Sequence, residues 1–321
     1  MKIAYLAKAR PDLNELIPAD ITHEIIHADD NGVYSDADLA RMADADALVV
    51  SMEPVTEQVL AACPNVKIVQ RLGVGYETLD LNAAAKRGIP CCNVEGVNKE
   101  AVAEHGMALL LALSRQLLEA DNLTRNYRWN EARLLTNHTF ELNGKTLGIV
   151  GLGNTGSQLA KRARAFGMRI VYNDVREIDP EVIESVGAQF MEKDELFASS
   201  DFISINTNLN DETRHLINAR TLGLMQPHSL LICCARGGII DEPALADALN
   251  SGRLAGAGID VFEVEPLVAD NPLLAAKNVV VTSHIAGVTD ETTRRNFEWA
   301  HDNVRAVVER GEKPRWVRNG V

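Results

Sequence analysis

The sequence has no apolar run long enough to cross a membrane. Its longest candidate, residues 107–113, is far shorter than the roughly 20 apolar residues that a bilayer span requires. The N-terminus also lacks the extended apolar region and small-residue cleavage site of a secretory signal peptide, because residues 2–6 already have the pattern of a β-strand. We therefore expect a cytoplasmic protein with no membrane partner.

Basic residues are also fewer than acidic ones. The chain has 32 Lys and Arg residues against 45 Asp and Glu residues, which gives a net charge of −13, and its basic residues are scattered along the sequence. A nucleic-acid-binding surface needs clustered basic residues. We therefore expect no nucleic-acid partner, and an anionic ligand would have to be held by local donors.

Metal-binding patterns are scarce as well. No pair of cysteines has C-x-x-C spacing, and we interpret all five as small buried residues: Cys63, Cys91, Cys92, Cys233 and Cys234. The segment from His23 to His27 matches H-E-x-x-H, a zinc pattern that requires both histidines on one helical turn. The isoleucines around it favour a short β-strand, in which the two histidines would stand too far apart. We expect no metal site.

The most informative segment is a glycine turn between a strand and a helix. An apolar run at residues 147–150 predicts a buried strand, and residues 157–166 have helical spacing. Glycines in the G-x-G-x-x-G pattern allow a tight turn, close approach of a pyrophosphate, and packing of the helix on its strand. The turn therefore predicts a dinucleotide site built on Gly151, Gly153 and Gly156.

An acidic residue follows the glycine turn at the distance expected for ribose binding. Residues 169–173 predict a second strand, and Asp174 stands at its end. A carboxylate there accepts hydrogen bonds from the ribose hydroxyls and repels a 2′-phosphate. This pattern favours NAD over NADP as the cofactor, although Arg176 close by works against the preference.

The length and the order of the elements indicate two domains. A chain of 321 residues is too long for one ordinary core. Strands alternate with helices from the N-terminus to about residue 97 and again after the glycine turn, which predicts α/β domains with parallel sheets. We predict two doubly wound domains: a discontinuous one of residues 1–97 plus 289–321, and a dinucleotide-binding one of residues 98–288.

Six ordered segments carry a resemblance to the D-isomer-specific 2-hydroxyacid dehydrogenases, including the glyoxylate/hydroxypyruvate reductases and D-3-phosphoglycerate dehydrogenases. They are RLGVGYETLD, VAEHGMALLLA, GKTLGIVGLGNTGS, CCARGGIIDEPAL, GAGIDVFEVEP and TSHIAG. The resemblance covers nearly the whole chain. It implies NAD-dependent hydride transfer between a 2-oxo acid and a D-2-hydroxy acid, a central Rossmann domain that binds NAD, and a split flavodoxin-like substrate domain.

The same resemblance implies three catalytic residues. Arg236 would bind the substrate through its guanidinium, which pairs well with a carboxylate and a carbonyl. His284 would act as the acid/base, because histidine titrates near neutral pH and ketone reduction requires a proton donor. Glu265 would orient the His284 ring and favour its protonated form. Each residue by itself also has a purely structural interpretation: Arg236 as a turn residue, Glu265 as a surface acid and His284 as a strand-end cap.

Further contacts follow from the resemblance alone. The backbone of Val74 and Gly75 would bind the substrate carboxylate. Tyr76 and Glu77 depart from the commoner family pattern, which leaves the side chain of the substrate open. Contacts to the cofactor, in addition to those of the three glycines and Asp174, are implied for Leu152, Asn154, Thr155, Thr207, Thr213, Cys234, Ala235, Asp260 and Gly287.

Two predictions concern partners. The family usually forms homodimers through the helix after the first domain, and the apolar residues 102–118 fit that role. His105 in this helix lies on an apolar face, so we interpret it as a packed core histidine rather than a catalytic one. An alternative function from another class is an NAD(H)-sensing, corepressor-like binding protein with the same fold; tight NADH binding with slow turnover would favour it.

Overall fold

The computed structural model describes residues 1–8 and 13–321 and divides the chain into two compact units. Unit 1 comprises Met1–Asn98 and Thr289–Val321, and unit 2 comprises Lys99–Val288. Each unit is built around one parallel β-sheet. The predicted fold class, α/β with two parallel sheets, is confirmed.

Unit 1 contains a five-stranded sheet in the order β2-β1-β3-β4-β5. Its strands are β1 (Lys2–Leu6), β2 (Thr22–Ile26), β3 (Ala47–Val50), β4 (Ile68–Arg71) and β5 (Cys91–Cys92). Its helices are α1 (Leu13–Leu16), α2 (Asp36–Met42), α3 (Glu57–Ala62), α4 (Leu81–Lys86) and, from the C-terminal segment, α13 (Asp290–Val308). This strand order is the flavodoxin-like one. Strands β3 and β4 are buried along their whole length, as expected for a parallel sheet covered on both faces.

Unit 2 contains a seven-stranded sheet in the order β12-β11-β10-β9-β6-β7-β8. Its strands are β6 (Thr146–Val150), β7 (Arg169–Asn173), β8 (Ala188–Phe190), β9 (Phe202–Ile205), β10 (Leu230–Cys233), β11 (Gly256–Ile259) and β12 (Val279–Val281). Its helices are α5 (Lys99–Ser114), α6 (Leu117–Arg125), α7 (Trp129–Leu134), α8 (Asn154–Ala165), α9 (Pro180–Val186), α10 (Lys193–Ser199), α11 (Ala219–Leu224) and α12 (Glu242–Asn250). Strand order reverses between β6 and β9, the point at which open α/β sheets bind ligands.

The apolar residues 102–118 extend over more than one helix. Helix α5 ends at Ser114, and Gln116 adopts a left-handed backbone with φ 47° before α6 begins at Leu117. The side chains of Met107, Leu109 and Leu110 are buried in the core of unit 2 itself. A group of large exposed apolar side chains lies farther along the chain, in and around α6 and α7.

The H-E-x-x-H segment is extended, as its isoleucines indicated. His23 lies within β2, and His27 follows the end of that strand. Among the side chains that the structure describes, no cluster of three or more from His, Cys, Asp or Glu is arranged to hold a metal ion. In the same described part of the chain, no helix is both long and apolar enough to cross a membrane.

Candidate active site

The glycine turn is closed by backbone contacts that leave no room for larger residues. Gly151 has φ +94°, and a Cβ atom there would lie 2.7 Å from the carbonyl oxygen of Asn206. A Cβ at Gly156 would lie 2.1 Å from the carbonyl oxygen of Gly151, so the first turn of α8 packs directly on the glycine turn. The free N–H groups at the start of α8, in Asn154 and Thr155, suit a pyrophosphate. The turn fits NAD.

Asp174 is fastened to the glycine turn. Its side chain is only 4% exposed, and its carboxylate accepts hydrogen bonds from the N–H groups of Leu152 and Arg176, each at 2.9 Å. The Arg176 guanidinium donates to both carboxylate oxygens at 3.2 Å. Burial by itself would raise the pKa of Asp174, but these hydrogen bonds outweigh it and hold the pKa below its usual value. The carboxylate is therefore ionised and placed beside the turn.

The loop after β9 packs against the same turn. The backbone N of Thr207 lies 3.1 Å from the place where a Cβ of Gly151 would be. The Thr213 hydroxyl donates to the carbonyl of Asn208 at 2.7 Å and so closes the loop on itself. The two threonines thus belong to one loop. Thr207 lies at the glycine turn, and Thr213 stabilises the loop through its hydrogen bond to Asn208.

The segment after β10 brings Arg236 beside the next loop of the sheet. Cys234 and Ala235 follow β10, and the Arg236 guanidinium donates to the Ala235 carbonyl at 2.7 Å. Burial raises the pKa of Cys234 well above its usual value, so this thiol is neutral. A Cβ at Gly237 would lie 1.8 Å from the carbonyl carbon of Phe262. The Arg236 segment therefore packs backbone to backbone on the loop that carries Glu265.

Glu265 and His284 are in direct contact. His284 donates through Nδ1 to Glu265 Oε2 at 2.7 Å, and the other carboxylate oxygen accepts the N–H of Phe262 at 2.9 Å. Because Nδ1 carries the proton that Glu265 accepts, Nε2 is the ring atom left for a reacting group. The side chains of His284 and Glu265 are 42% and 33% exposed. The ring is thus oriented by the protein and open on its other side.

The backbone of His284 has φ +56°, which is unusual for a residue with a side chain. Its N–H donates to the carbonyl oxygen of Asp260 at 2.7 Å. The Asp260 carboxylate accepts the next two N–H groups, those of Ile285 and Ala286, each at 2.9 Å. Asp260 is fully buried, so in this structure it holds the His284 loop. Its contact with the cofactor stays a prediction, as does that of Gly287, which is half-buried at the end of the loop.

In unit 1, the Val74–Gly75 loop is oriented by its carbonyl groups. The Gly73 carbonyl accepts the N–H of Val94 at 3.0 Å, and the Val74 carbonyl accepts Nδ2 of Asn93 at 2.7 Å. In a planar trans peptide the N–H points opposite to the C=O. The N–H groups of Val74 and Gly75 are therefore both directed away from Asn93 and Val94, and successive N–H groups turned the same way suit an anion.

Sequence reasoning missed the buried polar residues that support these loops. Asn93 is 1% exposed, and Arg318 Nε donates to its side-chain oxygen at 2.9 Å. In unit 2 the buried carboxylate of Glu242 accepts the N–H of Glu263 at 2.7 Å and the Asn271 amide at 2.6 Å. The one available signal was a polar residue within an otherwise apolar segment, and this signal does not reveal its partner.

Known proteins are similar to this chain in sequence and in fold. The model of the D-isomer specific 2-hydroxyacid dehydrogenase NAD-binding domain matches residues 107–286. This chain belongs to the D-isomer-specific 2-hydroxyacid dehydrogenase family. The match confirms the resemblance and shows that the protein is an NAD-dependent enzyme of this class.

Relatives are similar over most of the chain. The glyoxylate reductase of Korarchaeum cryptofilum is 39% identical over 279 residues, 86% of this chain and 83% of that protein. The glyoxylate reductase of Thermococcus litoralis is 40% identical over 281 residues, 86% and 84% of the two chains. Among solved structures, the holo form of the Rhodotorula graminis D-mandelate dehydrogenase is 27% identical, with a TM-score of 0.87 and coverage of 100% of this chain and 98% of that one.

Proposed function

We propose that this dehydrogenase reduces glyoxylate, or a 2-oxo acid of similar size, with His284 as the acid/base. The observation that carries the proposal is the contact of 2.7 Å between His284 Nδ1 and the Glu265 carboxylate, which leaves Nε2 available. The choice of glyoxylate rests on the glyoxylate reductases that are 39% and 40% identical to this chain.

His284 and Glu265 act as a pair. When NAD(H) is bound, it supplies or accepts the hydride. In reduction, the Nε2 proton of His284 moves to the carbonyl oxygen, where negative charge develops; in oxidation, Nε2 takes the proton back. Glu265 keeps the orientation of the ring through its contact with Nδ1, so that Nε2 faces the reacting group.

Arg236 is the proposed substrate-binding residue of unit 2. A guanidinium offers several donors in a fixed plane, which can bind a carboxylate and polarise a neighbouring carbonyl. Its support is its position after β10, at the carboxyl edge of the sheet, next to the loop that carries Glu265. The N–H groups of Val74 and Gly75 in unit 1 are proposed to bind the substrate carboxylate, on the evidence of their direction.

The proposed cofactor contacts follow the carboxyl edge of the unit 2 sheet. The glycine turn and the start of α8 would bind the pyrophosphate, and Asp174 the adenosine ribose. Thr207, Thr213, Cys234, Ala235, Asp260 and Gly287 stand after successive strands of this sheet and are proposed to surround the rest of the dinucleotide. The site is proposed to need no metal.

Turnover assays with a matched pair of histidine variants test the proposal. His284→Asn suits the left-handed backbone, because asparagine tolerates positive φ; we expect kcat to fall by about 10² or more, with NADH affinity unchanged. His215→Asn is the control, since His215 also has a positive φ, of 50°, and also contacts a glutamate, Glu263, at 3.3 Å. The control should retain turnover.

The assay follows NADH oxidation with glyoxylate, hydroxypyruvate, pyruvate and bulkier 2-oxo acids, with and without a chelator. Chelator-insensitive turnover that is fastest with glyoxylate supports the proposal. Turnover that is fastest with a bulkier acid would contradict the substrate assignment, and wild-type turnover by His284→Asn would remove His284 from the mechanism. Tight NADH binding without turnover of any acid would favour the sensor function.

A homodimer and a cytoplasmic location complete the proposed function. The support for a dimer is a group of exposed apolar side chains around α6 and α7: Leu117, Leu118, Tyr127, Trp129 and Leu134, each at least 55% exposed. Such side chains are normally covered by another surface. Sedimentation of the wild type and of Trp129→Glu should show a dimer and a weakened dimer, respectively.

A further inference from the structure

His105 is half-buried in unit 2 and contacts the segment that leads to His284. It belongs to α5, and its side chain is 20% exposed. Its Nε2 lies 3.0 Å from the hydroxyl oxygen of Thr282 and 3.7 Å from Asp260 Oδ1. Thr282 directly follows β12, and His284 follows two residues later.

The hydrogen bonds in this group can run in only one direction. The Asp260 carboxylate is an acceptor, so the Thr282 hydroxyl donates its single proton to Oδ1, at 2.5 Å. The hydroxyl oxygen then has only lone pairs left to offer to His105. Nε2 of His105 must therefore carry a proton and donate it to Thr282.

The chain of donors ends at the strained backbone of the catalytic loop. The Oδ1 atom that accepts the Thr282 hydroxyl also accepts the N–H of Ile285, and Oδ2 accepts the N–H of Ala286. These bonds follow His284, whose φ of +56° persists only if its surroundings impose it. The Asp260 carboxylate is thus held by the Thr282 hydroxyl together with these two N–H groups, and the Thr282 hydroxyl is itself held between Asp260 and His105.

We propose that His105 is a positioning residue for His284 and acts through Thr282 and Asp260. It does not touch the reacting atoms; it keeps the His284 ring where proton transfer is efficient. The inference rests on the proposed role of His284 as acid/base. A packed core histidine without this role would contribute volume and stability only.

Variants with and without a hydrogen-bond donor at residue 105 separate a positioning role from a purely structural one. His105→Leu removes the donor and keeps an apolar side chain, and His105→Gln places an amide N–H near the position of Nε2. We expect His105→Leu to lower kcat by about tenfold or more, since small misplacements of reacting groups are costly, with little change in the KM for NADH. His105→Gln should recover most of the lost kcat.

Thr282→Val tests the same link without altering α5, so the proposal stays testable even if the leucine variant does not fold. We expect a similar loss of kcat, restored in part by Thr282→Ser. The double variant His105→Leu/Thr282→Val should be no slower than Thr282→Val, because the two residues act in series. His228→Leu is the matched control. His228 also contacts a carboxylate, that of Asp201 at 3.0 Å, but it precedes β10 and so lies at the amino ends of the strands, opposite the proposed site.

The outcomes are distinct. A loss of thermal stability with wild-type kcat in both His105→Leu and Thr282→Val, or losses that multiply in the double variant, would overturn the positioning role. An equal loss of kcat in His228→Leu would also overturn the positioning role, because the loss would then not depend on a contact with the loop that carries His284. If His284→Asn itself turned over like the wild type, the proposed function would fail, whatever the His105 variants did.

Discussion

Gly237 offers the sharpest test of how the site is assembled. It follows Arg236, and its backbone is pressed against the loop that leads to Glu265. A Cβ atom there would lie 1.8 Å from the carbonyl carbon of Phe262, 2.0 Å from its oxygen and 2.4 Å from the N of Glu263. All three are backbone atoms, which cannot rotate away as the end of a side chain can.

The expected effect of Gly237→Ala follows from these distances. Carbon atoms in contact prefer a separation of about 3.5 Å or more, and the Cβ would lie 1.8 Å from the Phe262 carbonyl carbon, so the two segments must move apart by about 1.7 Å. Phe262 donates its N–H to Glu265, and this displacement therefore disturbs the carboxylate that orients His284. A misplacement of about 1 Å at a catalytic site can cost about 10² in rate. We expect kcat/KM to fall at least that far.

Gly238→Ala is the matched control. It is the same substitution one residue later, and neither glycine has a positive φ. A Cβ at Gly238 would lie 3.2 Å from Arg214 Nη1 and from Leu209 Cδ2, which are ends of flexible side chains. These atoms can shift by a few tenths of an ångström, so this variant should keep kcat/KM within a few-fold of the wild type.

The assay is steady-state reduction of glyoxylate with NADH, at a temperature well below the melting temperature of every variant. Thermal melts and NADH titrations accompany it, so that loss of folded protein is not mistaken for loss of rate. If Gly237→Ala and Gly238→Ala had the same kcat/KM, or if Gly237→Ala matched the wild type, the backbone packing would not be what holds the site together.

Three other predictions concern the cofactor, the substrate and stability. Asp174→Ala should raise the ratio of kcat/KM for NADPH to that for NADH by at least about tenfold, because a charge that repels the 2′-phosphate is lost; an unchanged ratio would place Asp174 away from the ribose. Asn93→Ala frees the Val74 carbonyl, so the KM for the 2-oxo acid should rise several-fold while the KM for NADH does not; equal rises would refute the anion-binding role of this loop. Burial lowers the pKa of His301 to about 4, whereas the unfolded chain has a value of about 6.5. Between these two pKa values the unfolded chain binds more protons than the folded one, so the free energy of unfolding falls as the pH falls. From pH 7.5 to pH 5 the loss is about 2 kcal/mol. Urea unfolding followed by tryptophan fluorescence should show this loss in the wild type and a smaller one in His301→Gln; parallel pH dependences would contradict it.

The sequence by itself determined the features that depend on neighbouring residues. Alternating apolar strands and helices predicted two parallel α/β sheets, and Gly151, Gly153 and Gly156 predicted the turn at the start of α8. Such patterns are informative because a strand, a tight turn or a helix start is specified within a few residues. The motifs around Arg236, Glu265 and His284 also sufficed to identify the family.

Only the tertiary structure shows which hydrogen-bond partners hold these residues in place. His105 and Thr282 are 177 positions apart in the sequence, and Asn93 and Arg318 are 225 apart. No local pattern links such pairs, because their contact arises only when helices pack on a sheet and the C-terminal segment meets β5. The same holds for Asp260, whose buried carboxylate secures the His284 loop, while the cofactor contact that the family resemblance implied stays a prediction. Sequence thus predicted which groups carry the chemistry, and packing determined how those groups are oriented, because burying a polar group requires a partner that only the folded chain supplies.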